Sequence, residues 1–191
     1  MHCLLCGNLS FWHICKRCRS EFLTPSLTKR VLDDGLEVYS FYRYSQIKTL
    51  LHTKHKFIGY FIYKILVKES FLKFADNFNF EGQIYSIACD DSVKSGYSHS
   101  AILNRYLKSA HITPLFSKLR AKNSISYSGK SLKFREENPR DFSYSYRSDI
   151  DIILVDDIIT TGTTLKEAKK VIENSDSRVH FALTLADARD I

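Results

Sequence analysis

The stretch from Asp156 to Thr164 reads Asp-Asp-Ile-Ile-Thr-Thr-Gly-Thr-Thr and is dense in groups that bind phosphate and sugar. Backbone N–H groups at the start of a helix lack partners and carry partial positive charge. A phosphate satisfies both, and the hydroxyls of Thr160, Thr161, Thr163 and Thr164 add donors. Gly162 permits positive φ and lets the backbone approach a ligand closely. The adjacent carboxylates of Asp156 and Asp157 suit sugar hydroxyls, or a hydrated Mg²⁺ that keeps most of its waters. A phosphorylated sugar meets both demands together. The loop contains no lysine, so it is not a Walker loop, and there is no Gly-x-Gly-x-x-Gly to bind a dinucleotide. The plain alternative is a Thr-rich connection capped by Thr163 or Thr164. Such a connection needs neither both acids nor so many hydroxyls.

A second cluster opens the chain: Cys3 and Cys6, then Cys15 and Cys18, two Cys-x-x-Cys pairs. This spacing is that of a tetrahedral four-thiolate zinc site. Four thiolates leave no open position, so the Zn²⁺ is expected to be structural. Two disulfides are the alternative. The N-terminus lacks the basic start and apolar core of a secretory signal, so a reducing, cytoplasmic compartment is expected and disulfides are disfavoured. Phe11, Trp12, Phe22 and Leu23 flank the cysteines and are expected to form a small core that the metal completes. Trp12 can instead stack a nucleobase. Cys89 reads as an ordinary strand residue.

These groups need elements to position them. Ile152 to Val155 is an unbroken apolar run, as in a strand buried on both faces of a parallel sheet, with the two acids at its end. Leu165, Ala168, Val171 and Ile172 then recur at helical spacing. Val38–Tyr44, Ile84–Ala88 and Val179–Leu185 also read as strands. Helical patterns follow at Ile47–Leu51, Phe61–Leu66 and Ala101–Ala110. Thr24–Ser26 reads as a linker, and Thr28–Leu36 as a polar lead-in. Residues 1–24 are expected to form a zinc knuckle and 25–191 an α/β domain. The basic turn Lys54–Gly59 can hold pyrophosphate through Lys56, or it is a solvated turn. Asp90–His99, which includes Lys94, reads as a polar loop.

The formal charge is +7 and aromatic residues make up 13% of the chain. A basic, aromatic-rich surface permits nucleic-acid binding; a pyrophosphate-binding protein with solvated lysines fits equally. Between 117 and 148, basic residues alternate with Tyr127, Phe134, Phe142, Tyr144 and Tyr146. That mixture can track a single strand or form a mobile cover over a site. No run approaches the ~18 apolar residues of a membrane span.

Val155 to Thr164 resembles the phosphoribosyl-diphosphate (PRPP) loop of type I phosphoribosyltransferases. With the cysteine knuckle ahead of it, the whole chain is similar to the ComF (GntX-like) family of natural-competence proteins. Tyr44, Lys56-x-x-Gly59 and Arg135-x-x-Asn138-x-x-x-Phe142 match that family's segments. Gly96-Tyr-Ser-His99 stands where the family has Gly-Phe-Asn-Gln. The arginines that usually precede it are represented by Lys94 alone, and Ala88-Cys89-Asp90 replaces a Pro-Val-Pro. Intact pyrophosphate chemistry therefore does not follow from the resemblance.

What the resemblance implies is a type I phosphoribosyltransferase-like parallel sheet flanked by helices, carrying an N-terminal zinc knuckle. It implies PRPP held with Mg²⁺ by Asp156, Asp157, Thr160, Thr161, Gly162, Thr163 and Thr164, with Lys56 and Lys94 toward the pyrophosphate. It implies a role in bringing transforming single-stranded DNA into the cytoplasm, with a competence helicase or DNA-processing protein as a possible partner. Two alternatives stand beside this reading: an active phosphoribosyltransferase with an unknown acceptor, and a zinc-dependent scaffold on a degenerate nucleotide fold.

Overall fold

The computed structural model describes residues 1–89, 93, 96–123, 134 and 137–190. Lys94, Asp90, Tyr127, Lys130, Lys133 and Arg135 lie outside the described residues. In chain order the elements are α1 (Lys16–Phe22), β1 (Thr28–Val31), β2 (Glu37–Arg43), α2 (Tyr44–Leu51), a 3₁₀ turn (His52–His55), α3 (Phe57–Glu69) and α4 (Phe71–Asn77). Then follow β3 (Ile84–Ala88), α5 (His99–Arg105), β4 (Ile112–Leu115), β5 (Leu119–Ala121), β6 (Phe142–Tyr144), β7 (Asp151–Ile159), α6 (Thr163–Glu173) and β8 (Arg178–Asp187). A last 3₁₀ turn spans Ala188–Asp190.

Six strands form one sheet in the order β1-β2-β8-β7-β3-β4. All neighbours run parallel except the antiparallel pair β1–β2. Helices cover both faces, so the molecule is an α/β protein with a mostly parallel sheet. β7 lies in the middle, and its side chains alternate. Ile153 and Val155 enter the core beneath α2, α3 and α5, while Ile152 and Leu154 enter the one beneath α6. All four are fully buried, which is why the run carries no polar break. Pairing with β8 skips His180, since Ile152 faces Val179 and Ile153 faces Phe181.

Three expectations change. Strand β7 runs through both acids to Ile159 and does not stop before them, because Asp156 and Ile158 still pair with Thr184 and Ala186. Thr28–Val31 is an edge strand, not a lead-in; its hairpin turn closes through Leu32 N–H to Leu36 O at 2.9 Å. The helix expected through Ala110 ends at Arg105, where three-residue turns take over (Tyr106 N–H to Leu103 O, Leu107 N–H to Asn104 O) and deliver the chain to β4. Leu107 stays buried all the same.

Candidate functional site

The turn between β7 and α6 is shaped by Gly162, whose φ of +85° is the left-handed region that favours glycine. A side chain there would also strike Leu32, because an added Cβ would sit 2.7 Å from its Cδ1. Thr161 Oγ1 and Thr163 Oγ1 lie 2.9 Å apart, and Lys166 N–H donates to Gly162 O at 3.0 Å to begin the helix. The earlier N–H groups of α6 have no intrahelical partner. Asp156, Ile158, Ile159 and residues 160–165 together line a hollow of about 200 Å³ that opens to solvent.

The edge hairpin braces this turn from behind. Arg30 of β1 donates through Nη1 to Thr160 O at 2.6 Å and lies 3.6 Å from Asp187 of β8. Asp33 and Asp34 pair with Lys166 and Lys169 of α6 at 3.0 and 3.7 Å. None of these residues stands out in the sequence, because Arg30 and Thr160 lie 130 positions apart and the lysine partners of Asp33 and Asp34 lie as far off, on α6.

The two acids have different surroundings. Asp156 lines the hollow. Burial and the neighbouring Asp157 charge push its carboxyl up to about 8, against weaker opposing pulls from its own hydrogen bond, Lys54 and Arg140. Asp157 faces the other side of the sheet. Its Oδ2 accepts from Lys54 Nζ at 2.8 Å and from Tyr63 OH at 3.3 Å, and lies 3.5 Å from His99 Nε2. Burial pushes the Asp157 pKa up, but the charges of Lys54 and His99 and the two hydrogen bonds outweigh it and hold the group at about 2. Lys54 sits in the basic turn marked from the sequence, two positions from Lys56. Lys56 itself is exposed just before α3.

Gly59 explains the close fit of that turn. An added Cβ would collide with Thr53 O and the Tyr97 hydroxyl. Tyr97 in turn donates to Lys54 O at 2.7 Å. The segment Gly96–His99 thus bears on Asp157 twice, through Tyr97 on the Lys54 backbone and through His99 directly.

At the N-terminus the four cysteine Sγ atoms lie within 4.8 Å of one another, and Cys6 and Cys15 are 3.8 Å apart. A tetrahedral site with Zn–S near 2.3 Å needs S···S separations of about 3.8 Å, so the donor set fits zinc. Backbone geometry agrees: Cys15 N–H points at Cys3 Sγ at 3.3 Å and Cys18 N–H at Cys15 Sγ at 3.4 Å. Burial raises the Cys3 thiol, but backbone N–H groups of Cys15, Cys6 and Leu5 outweigh it and bring it down to about 6. Burial and the neighbouring thiols push Cys18 strongly the other way. Four thiols this close cannot all ionise unaided, and a divalent cation removes that conflict.

The knuckle does not build the expected small core. Phe11, Trp12 and Phe22 are exposed, and only Leu23 of that set is buried. Cys3, Ile14, Cys18 and Leu23 belong instead to the main core beneath α2–α5, and Tyr42 of β2 donates to Leu23 O at 3.0 Å. Docking on the domain supplied the apolar contacts, so the rings were left outside. Among the described residues of 117–148, β5 and β6 form a two-stranded ribbon. Lys118 lies over the Tyr146 ring, and Arg147 sits over both Tyr85 and Tyr146.

No family model matches the sequence, and no curated protein matches it. Among solved structures the chain is similar to a hypoxanthine phosphoribosyltransferase from Staphylococcus aureus, at 15% identity and a TM-score of 0.40 over 67% of this chain and 64% of that one. It therefore spans less than two thirds of that enzyme's length. It is also similar to an adenine phosphoribosyltransferase (13%, 0.40, covering 91% and 90%) and to orotate phosphoribosyltransferase from Aeropyrum pernix (16%, 0.37, covering 90% and 80%). No helix among the described residues is long and apolar enough to cross a membrane.

Proposed function

We propose that this chain binds PRPP, or a related 5-phosphorylated ribose, in the hollow before α6, and that it serves the handling of transforming single-stranded DNA in the cytoplasm. The observation that carries the first part is the convergence of the Asp156 carboxyl and Thr160–Thr164 on one hollow, at a left-handed Gly162 and a helix start. N–H groups of the helix start and threonine hydroxyls receive the phosphate, and the helix dipole favours its charge. Asp156 accepts from the ribose hydroxyls. Asp157 orients the strand end through Lys54, Tyr63 and His99. Lys56 and Lys94 are assigned to the pyrophosphate side. Mg²⁺, bound with the ligand, would neutralise its phosphates. The knuckle, residues 1–24, is a structural unit held by Zn²⁺ through Cys3, Cys6, Cys15 and Cys18.

The competence role rests on the resemblance to the ComF family, and single-strand binding rests also on the basic, aromatic-rich composition. Calorimetric titration with PRPP and Mg²⁺ tests the first part. Saturable binding that is lost in Asp156→Asn is expected; no heat and no thermal stabilisation with either PRPP or ribose 5-phosphate would refute it. Pyrophosphate release on addition of free bases would make the protein a transferase. For the second part, salt-sensitive binding of an unstructured oligonucleotide is expected.

A further inference from the structure

The outer face of α3 carries rings where an amphipathic helix would carry charge. Gly59, Ile62, Tyr63, Leu66 and Val67 form its buried face. Phe57, Tyr60, Phe61 and Lys64 occupy the opposite side at helical spacing. Phe57 is 79% exposed, and Phe61 and Tyr60 are exposed too. These rings touch one another, with Phe57–Phe61 at 5.6 Å and Tyr60–Phe61 at 5.4 Å between centroids. Phe61 also meets His13 of the knuckle at 5.1 Å, so the array crosses from the domain onto the knuckle. There Phe11 is 95% and Trp12 66% exposed. Neither the core nor the knuckle uses these faces.

The chain segments that carry the rings hold charge of one sign. No Asp or Glu occurs from Met1 to Ser20 or from Val38 to Lys68. Lys64 Nζ lies 5.1 Å above the Tyr60 ring. Arg17, Arg19 and Lys54 are taken up by Glu21, Glu69 and Asp157. Lys16, Lys56 and Lys64 form no ion pair among the described residues.

We propose that the knuckle and the outer face of α3 form one continuous seat for single-stranded nucleic acid, with bases stacked on Phe11, Trp12 and Phe57 and phosphates on Lys16 and Lys64. The proposal rests on the nucleic-acid part of the reading above and assigns it a surface. Every base offers a π face, which suits rings of mixed type, and the pairing of Glu21, Glu69 and Asp157 with Arg17, Arg19 and Lys54 lessens the repulsion a phosphate backbone would meet. A duplex hides its bases and gains nothing from the rings.

Trp12 is the chain's sole tryptophan, so it reports on the seat directly. The test titrates zinc-loaded full-length protein with oligo(dT) at low salt, following both Trp12 emission and the anisotropy of a labelled oligonucleotide. Quenching of Trp12 in step with binding is expected. Phe11→Ala and Phe57→Ala should each weaken binding about tenfold, in line with ~1–3 kcal/mol per stacked base. Lys64→Glu should weaken it and flatten its salt dependence. PRPP titration of the same variants should match wild type, which shows that they remain folded. Full-strength binding by the Phe11→Ala/Phe57→Ala variant with Trp12 emission unmoved would overturn the seat and leave single-strand binding elsewhere on the protein. No binding by wild type at low salt would remove both the seat and the nucleic-acid reading, leaving the sugar-phosphate hollow untouched. Anionic vesicles that shift Trp12 while the oligonucleotide does not would assign the face to a lipid surface and overturn the proposal.

Discussion

The cysteine knuckle and the threonine turn each gather several copies of one side chain into a short loop, but they keep their shapes by different means. The knuckle has backbone hydrogen bonds of its own, such as Leu4 N–H to His13 O and Cys3 N–H to Asn8 O, but they do not settle its centre. Its four thiols conflict unless a cation sits among them. The turn needs no ligand to hold its shape. β7 is buried on both faces, Leu32 presses on Gly162, and Arg30 holds Thr160 from behind. A cation would therefore complete the organisation of one loop, whereas the other is organised in advance for what it would bind. The second arrangement loses less ordering entropy on binding.

Removing the metal should separate the two most sharply. Structural zinc contributes on the order of 10 kcal/mol to folding of such sites. Chelation, or Cys3→Ser, should unfold residues 1–24, change Trp12 emission and lower the melting temperature, because Ile14 and Leu23 share the main core. A chelated protein that melts with the zinc-loaded form would break the comparison.

Asp157→Asn should follow in size. It leaves the largely buried Lys54 ammonium without its counter-charge, at a cost of about 3 kcal/mol in urea unfolding. Asp156→Asn should stabilise the fold at neutral pH, since a carboxyl pushed up to about 8 makes folding take up a proton there and the amide does not. Equal destabilisation by the two variants would contradict the division of the acids between two faces. Gly162→Ala should cost about 2 kcal/mol, from the left-handed backbone and the displaced Leu32. If it melts like wild type, the turn is softer than its contacts imply.

The smallest effect is in pH, and the acids have opposite signs. Asp157, held at about 2, stabilises the fold above its ordinary pKa of 3.8, and this is lost as pH falls toward 2. For Asp156 the folded protein keeps a proton that the unfolded chain has released between 3.8 and about 8, so its contribution weakens as pH rises through that window. Asp156→Asn should flatten the decline in stability from about pH 4 to 8, and Asp157→Asn the decline below pH 4. Unchanged profiles in both variants would remove the electrostatic account of the pair.

Much of this was legible from residue types in order. The run Ile152–Val155 can only be a strand with two covered faces, since any solvated face would need polar residues. The cysteine spacing implies convergence on one ion, because two-residue knuckles point their sulfurs together. Gly162 after four hydroxyl or acidic positions implies a turn that approaches a ligand. These are local rules, and the turn, its helix and the knuckle followed from them.

Only the tertiary structure decided which side of β7 each acid serves, since alternation separates neighbours but does not say what waits on either face. Lys54, Tyr63 and His99 reach Asp157 across 103, 94 and 58 positions of chain. Arg30 reaches Thr160 across 130. The exposure of Phe11, Trp12 and Phe57 is of the same kind. A ring's type predicts burial, but here the knuckle docks through Ile14 and Leu23 and α3 turns another face inward, so packing alone left those rings in solvent. Residue order sets what each segment can do, and the pairing of distant segments sets which of those capacities face one another.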